Sequence, residues 1–402
     1  MIVSNFKKNI KRYLISSIVI CLIFSKPAIS LNYEHYENWV ENFFINNFTN
    51  NFSSEFIKNI INRSKLKKNN FYKIDRIINR IHDRDFINPE NYFDINKLRI
   101  RSQKAIRLSE YFEAELNTIE TKFEIPKSII LSIWAVESDF GNAELPFSSL
   151  KAIVFHIYKE KRKKYFMDEL KSILVIIANK KIDTNKILGS SYGAMGQPQF
   201  MPSNYLKYGV DYDNDGKVDL WDSEVDILAS IANFLSSFGW EKNLKWGTEV
   251  TKTEKLPCYL EGPDIKKSLM DWKSYGIIPV DKNSFKNLPY STKTSLLMPK
   301  GEYGPKFLVT KNFYVLKKYN FSDFYALYVS TLANLIEGKK LFKGKWIKTT
   351  ELNYKKILEL QHSLTKKGLD VGELDGLIGF KTRRSIGKNQ EELKQKITCY
   401  PK

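Results

Sequence analysis

Residues 126–139 read Pro-Lys-Ser-Ile-Ile-Leu-Ser-Ile-Trp-Ala-Val-Glu-Ser-Asp. Pro126 suits a helix start, because the amide it lacks would have no partner there. Counted from it, Ile129, Ile130, Ile133 and Trp134 recur at helical spacing and form an apolar stripe that faces a core. The next position on the stripe is Glu137, one turn beyond Ile133 and Trp134. A carboxyl held there is partly desolvated, which disfavours its charged form and raises its pKa. A carboxylic acid still protonated near neutral pH can act as a general acid. The plainer alternative is an inward Glu that bonds a neighbouring backbone group. Asp139 lies about 200° further around the axis, so it is no paired carboxylate on this helix.

Two further stretches carry chemistry. Residues 193–202, Gly-Ala-Met-Gly-Gln-Pro-Gln-Phe-Met-Pro, combine turn residues with amides. Gly193 and Gly196 allow close backbone approach to a ligand. Gln199 offers both a donor and an acceptor, and Pro202 fits a helix start. A tight structural turn is the alternative. Residues 211–222, Asp-Tyr-Asp-Asn-Asp-Gly-Lys-Val-Asp-Leu-Trp-Asp, match the twelve-residue EF-hand loop. Asp211, Asp213, Asp215, the Lys217 carbonyl and Asp222 are the expected calcium ligands. Asp222 stands where a longer Glu is usual, so Asp226 is the rival last ligand if the loop runs long. A lone loop of this kind fits a structural ion rather than a sensor pair.

The remaining chain sets the frame. Among 402 residues, 64 Lys and Arg face 45 Asp and Glu, for a net charge of +19. Such a charge invites an anionic polymer, but no nucleic-acid recognition motif accompanies it. Three cysteines exclude a disulfide scaffold, and four histidines without metal spacing exclude a zinc finger. Residues 1–30 hold Lys7, Lys8, Lys11, Arg12 and Lys26 and no acid. The apolar run Tyr13 to Phe24 and the small-residue site Ala28-Ile29-Ser30 then read as a secretory signal. An uncleaved membrane anchor is the alternative. Of the cysteines, Cys258 and Cys399 remain after cleavage; in an oxidising compartment they can pair, but sequence does not give their proximity.

Residues 31–125 read as helical, including one long helix over Leu98–Phe123 with Ile106, Leu108, Phe112, Leu116 and Ile119 on its apolar side. Residues 241–310 read as strands and loops, and 311–338 as helix. Residues 339–351, with five basic or glycine positions from Lys339 to Lys345, read as a solvated linker. Residues 352–402 then read as a separate small helical unit.

The motifs resemble one family. Glu137 to Asn142 and Ser191 to Ser203, with Gly189-Ser190, Phe166, Glu169 and Leu170, Trp221-Asp222, Phe238-Gly239-Trp240, Tyr319-Asn320, Ser322 and Tyr325-Ala326, are similar to the B-type lytic murein transglycosylases. The resemblance runs from about residue 35 to 338 and departs at Pro198, where the family usually has Gly. It implies a mainly α (α+β) fold with a lysozyme-like catalytic domain over 31–338. It implies cleavage of the β-1,4 bond between N-acetylmuramic acid and N-acetylglucosamine in peptidoglycan, with 1,6-anhydromuramoyl ends. Glu137 alone then serves as acid and base, and Ser190, Gln199, Asn320 and Tyr325 are the implied substrate-binding residues. Structural calcium is implied, with no organic cofactor. Residues 354–390, through Leu360-Gln361, Leu364, Gly368, Gly372, Asp375-Gly376, Gly379, Thr382, Ile386 and Gln390, resemble the small peptidoglycan-binding domain. The expected setting is the periplasm of a Gram-negative bacterium, as a monomer on glycan strands and with no nucleic acid. A hydrolytic muramidase and a non-catalytic wall-binding protein are the competing readings.

Overall fold

The computed structural model describes residues 32–82, 89–160, 162–179, 182, 184–253, 256–286, 288–349 and 352–401. The expected signal at 1–30 lies outside them. Six helices come first among the described residues: α1 (Tyr33–Phe48), α2 (Ser54–Ser64), α3 (Lys68–His82), α4 (Pro89–Tyr92), α5 (Ile95–Tyr111) and α6 (Glu113–Phe123). Asn32 starts α1 by accepting from the Glu34 amide, and Asp94 starts α5 by accepting from the Asn96 and Lys97 amides. Each carboxyl or amide oxygen thereby satisfies helix-end donors that have no partner inside the helix.

The single helix expected over Leu98–Phe123 is two. Phe112, with φ −101° and ψ 31°, breaks it between α5 and α6. Leu116 and Ile119 are buried as expected, but Ile106 is 38% exposed. The bend at Phe112 changes which side of the segment faces inward, so one unbroken stripe does not persist.

Helix α7 (Lys127–Ser138) follows, with Pro126 as its N-cap. A two-stranded ribbon, β1 (Phe147–Ser148) with β2 (Leu188–Gly189), brackets α8 (Ser149–Tyr158) and α9 (Lys163–Ala178). Helices α10 (Pro202–Tyr208) and α11 (Glu224–Ser237) flank the acidic loop. A five-stranded antiparallel sheet then forms, from β3 (Gly247–Thr251), β4 (Lys267–Ser268), β5 (Ile278–Pro279), β6 (Lys293–Leu297) and β7 (Lys306–Val309), in the order β4-β6-β7-β3-β5. Helix α12 (Leu269–Ser274) lies within it, and α13 (Lys311–Tyr319) and α14 (Asp323–Ile336) return to the helical core. Helix α7 sits at that core's centre, packed on α5, α6, α11 and α14. Its stripe residues Ile129, Ile130, Ile133 and Trp134 are all buried. The architecture is mainly α with a small sheet, as the sequence predicts.

Residues 339–349 are not a free linker. Their lysines are exposed as expected. Trp346, however, stacks on Phe93 and meets Phe324 and Phe342. The amides of Lys343 and Gly344 donate to the Glu249 carboxylate, and that of Ile347 to the Tyr303 carbonyl. Two large aromatics in the segment make it a strap, because burying them outweighs the freedom of a loose chain.

Beyond the strap, α15 (Tyr354–Lys366) and α16 (Phe380–Glu392) form the expected pair. Gln361 joins them: its side-chain oxygen accepts from the Gly376 amide, and its nitrogen lies within bonding distance of the Leu377 carbonyl and the Thr382 hydroxyl. The tail after Gln390 is pinned, with the Thr398 and Cys399 amides donating to the Gln390 side chain. Cys258 and Cys399 are disulfide-bonded across a Cα–Cα distance of 6.0 Å. The pairing that sequence left open thus ties the tail to the sheet region.

Candidate active site

Glu137 is the penultimate residue of α7, where the helix carries it out of the apolar stripe to the edge of the core. The next residues, Asp139 and Phe140, have φ of +51° and +58° and reverse the chain at once. Asp139 faces away, beside Arg101 at 3.7 Å. Glu137 itself is half-buried. Burial pushes its carboxyl up to about 7, against the hydrogen bond from Tyr325, which lowers it. The result is an acid that is half protonated near neutral pH.

Tyrosines surround that carboxyl. The Tyr325 hydroxyl on α14 donates to Glu137 Oε1 at 2.5 Å. Tyr319, at the end of α13, stacks on Tyr325 with an 11° interplanar angle. Burial first, and the nearby Glu137 second, raise both phenols. Tyr92 on α4 is pushed up to about 12, by burial, then by Tyr328 and Glu137. All three therefore stay neutral, so they can orient a carboxyl without competing for its proton. Tyr325→Phe removes this donor, which favours the carboxylate. Its Glu137 is expected to titrate at higher pH than the parent's, as read by carbon-13 detection of the side-chain carboxyl; an unchanged or lower midpoint would refute the role of that bond.

The run at 193–202 folds as a hairpin tip: Met195 and Phe200 exchange backbone hydrogen bonds of 2.7 and 3.1 Å around residues 196–199. At both glycines the protein itself leaves no room for a side chain. A Cβ at Gly193 would lie 2.4 Å from Ile153 Cγ1, and one at Gly196 2.4 Å from the Leu220 carbonyl. Pro198, the departure from the family pattern, is accommodated, and its carbonyl accepts from the Tyr319 hydroxyl at 2.7 Å.

Tyr325, expected from sequence as a sugar contact, is bonded to Glu137 itself. The bonds of the others are local. Ser190 Oγ accepts from the Tyr192 and Ala194 amides, Gln199 Nε2 donates to the Gly196 carbonyl at 2.8 Å, and Asn320 Oδ1 accepts from the Ser322 amide. Gln197 was not anticipated. Its side chain accepts from Trp134 Nε1 and donates to the Trp221 carbonyl, both at 2.7 Å. It therefore links the helix of the acid to the end of the acidic loop. Tyr92 was also missed. Its short helix stands far upstream, with no local pattern that points to Glu137.

At the end of the acidic loop, the structure sets apart the two rivals that the sequence left open. Carboxylate oxygens of Asp211, Asp213 and Asp226 lie within 4.8 Å of one another. Asp222 is instead turned outward to Lys186 at 2.7 Å. The cause is local: Asp219 Oδ1 accepts from both the Trp221 and Asp222 amides, which closes a turn there and sends the loop on to α11. Asp226, on the first turn of α11, accepts from the Tyr212 and Asp219 amides. Its proton affinity is raised by burial and further by Asp213 and Asp211. Asp215 Oδ1 accepts from the Lys217 amide. Asp211 Oδ1 is buried with no hydrogen-bond partner. A buried oxygen of that kind, beside two more carboxylates, fits a hard cation.

The family model described as the transglycosylase SLT domain matches residues 35–334. Membrane-bound lytic murein transglycosylase B of Escherichia coli K12 is 29% identical over 253 residues, which is 62% of this chain. The chain spans 65% of that relative's length. The structure of SltB3 from Pseudomonas aeruginosa in complex with NAG-NAM-pentapeptide is 26% identical, with a TM-score of 0.80 over 92% of this chain and 97% of that one. An Escherichia coli lytic transglycosylase solved with calcium shares the fold at 24% identity, with a TM-score of 0.60 over 75% of this chain and 92% of that one.

Proposed function

From the chain's membership of the transglycosylase SLT domain family, we propose that it is a lytic transglycosylase that cleaves peptidoglycan between N-acetylmuramic acid and N-acetylglucosamine, leaving 1,6-anhydromuramoyl ends. The observation that carries this reading is the half-buried carboxyl of Glu137, pushed up to about 7 and bound by Tyr325. Protonated Glu137 gives its proton to the glycosidic oxygen as the bond to the anomeric carbon breaks. The resulting carboxylate then takes the proton of the muramoyl 6-hydroxyl as that oxygen closes on the same carbon. One carboxyl suffices, because the attacking group belongs to the substrate. Two-carboxylate glycosidases need a second acid roughly 5 to 9.5 Å away, and Asp139 faces Arg101 instead. Ser190, Gln199 and Asn320 contribute to the glycan site as turn residues whose remaining donors and acceptors face the substrate on binding. Digestion of purified peptidoglycan with mass spectrometry tests the reading. Products one water lighter than hydrolytic fragments support it, and reducing-end products overturn it in favour of a muramidase.

The site of action in this reading is the cell envelope, with the signal at 1–30 directing export to the periplasm. No helix among the described residues is long and apolar enough to cross a membrane. The domain reading is a lysozyme-like catalytic part over 31–338, joined by the strap to a peptidoglycan-binding-like unit over 352–402.

A calcium ion belongs to the same proposal. Asp211, Asp213 and Asp226 supply its carboxylates, and the unpartnered Asp211 Oδ1 supports that assignment. The ion neutralises charges that otherwise repel and fixes the loop that ends on Gln197. Binding to the folded state stabilises by mass action, about 2.7 kcal/mol at a hundred times the dissociation constant. The melting temperature is expected to rise with calcium and fall with chelator. Asp226→Ala should abolish the rise and Asp222→Asn should keep it. A rise that persists in Asp226→Ala and vanishes in Asp222→Asn would restore the twelve-residue loop.

A further inference from the structure

Arg383, on α16, is buried to 1% exposure. Its Nε and Nη2 donate to the two carboxylate oxygens of Glu261 at 2.6 and 3.0 Å, and Nη1 donates to the Ile378 carbonyl at 2.9 Å. Nη2 also reaches Asp323 Oδ2 at 3.0 Å. Asp323 is the first residue of α14. Its other oxygen accepts from Lys317 Nζ of α13 at 2.5 Å. Burial alone would raise the Asp323 carboxyl, but Lys317 and Arg383 outweigh it and hold the group below the usual range. The four side chains make a charge-balanced cluster, Arg383 and Lys317 against Glu261 and Asp323.

The place of that cluster matters more than its strength. It clamps both sides of the turn between α13 and α14. That turn starts at Tyr319, which holds the hairpin tip through Pro198, and passes Asn320. Two residues beyond Asp323 stands Tyr325, whose amide is capped by Ser322 Oγ and whose hydroxyl binds Glu137. Asp323 and Tyr325 share the first turn of one helix, so a shift of one carries the other.

We propose that Arg383 is a positioning residue for Glu137: by gripping Asp323, the C-terminal unit fixes the start of α14 and thereby the Tyr325 hydroxyl on the acid. The unit then completes the catalytic site as well as serving any hold on the polymer. This rests on Glu137 being the acid and base. Misplacing a group in an active site by about 1 Å can cost a hundredfold in rate, and a short bond to a single hydroxyl is sensitive to such a shift. An anchor that only raised local concentration would change apparent KM and leave kcat alone.

The test is steady-state cleavage of a short soluble muropeptide by the full chain, below the melting temperature of every variant. Asp323→Asn removes the charge and one of the two acceptor oxygens at the α14 end, so that Arg383 and Lys317 can no longer both be held there, while Glu261 still neutralises Arg383 and the unit stays docked. It should lower kcat roughly tenfold or more with KM nearly unchanged. Glu261→Gln loosens the docking from the far side but spares the Asp323 contact. It should melt lower yet keep kcat within roughly twofold. Arg383→Lys should retain more kcat than Arg383→Met. Combining Asp323→Asn with Tyr325→Phe should cost no more than Tyr325→Phe alone, because both act through one hydroxyl. A parent-like kcat in Asp323→Asn, or losses that multiply in the double variant, would overturn the inference. So would kcat losses that track melting temperature in Asp323→Asn and Glu261→Gln alike. Glu137→Gln in the same assay separates the two levels: if it is inactive while Asp323→Asn is normal, the positioning role fails and the acid stands; if it is active, the acid itself is wrong.

Discussion

Glu137→Gln is expected to lose at least roughly a hundredfold in turnover while remaining folded, the scale of removing a general acid. Gln keeps the shape and can still accept from Tyr325, but it cannot give a proton to a glycosidic oxygen. Its stability should, if anything, improve near neutral pH. The carboxyl's folded pKa of about 7 lies above its ordinary value of 4.5. A raised carboxyl makes the folded state relatively less favourable as pH rises through about 7, and a neutral amide carries no such penalty. The parent's activity should decline as pH rises above that point, since the free enzyme must hold the proton. A stable Glu137→Gln protein with near-parent turnover would remove Glu137 from the mechanism.

Truncation before the C-terminal unit is the second large effect expected. Read from sequence alone, residues 352–402 are a module on a solvated linker, and removing them should spare the chemistry. The structure argues otherwise. Without Arg383, Glu261 and Asp323 keep two buried carboxylates with their main counter-ion gone. Breaking a buried pair costs about 3–5 kcal/mol. The Cys258–Cys399 bond, which spans 141 residues of sequence, is lost as well, a further cost of about 2–5 kcal/mol. Together these approach the whole stability of many domains. A chain ending near Lys348 should melt roughly 10 °C lower or more, and should lose turnover even on soluble muropeptide. If calorimetry finds the parent melting temperature and soluble turnover survives, the unit is a separable anchor after all.

What sequence made legible follows from how far each signal reaches along the chain. Glu137 was readable because helical period turns position directly into a face, and a carboxyl on the apolar face of α7 stands out against Ile133 and Trp134. The first turn of the acidic loop was readable because Asp211 and Asp213 are set by short-range loop geometry. The choice between Asp222 and Asp226 stayed open in sequence, because a side-chain bond to Asp219 shapes the end of the loop and leaves Asp226, not Asp222, beside Asp211 and Asp213. Phe112 broke a helix whose apolar pattern ran on through it. Gln197 lay inside a noticed motif, yet its partners Trp134 and Trp221 are 63 and 24 residues away. Arg383 was further out of reach, with Glu261 and Asp323 at separations of 122 and 60. Such pairs are created by tertiary packing and leave no periodic trace.

The disulfide also gives the molecule a topology. Closed at Cys258 and Cys399, the chain is a lasso: α13, α14 and the whole C-terminal pair lie in the noose, while α7 lies on the rope that leads into it. The acid therefore sits outside the covalent ring and its tyrosine partner inside. A peptide bond cut in the exposed lysine stretch of the strap would open the ring without releasing a fragment, since the sulfurs still join the pieces. Arg383 would stay tethered beside Asp323 after such a cut. Only cleavage together with reduction would set the C-terminal unit adrift, so the redox state of the surroundings decides whether a nicked molecule remains one enzyme or becomes two pieces.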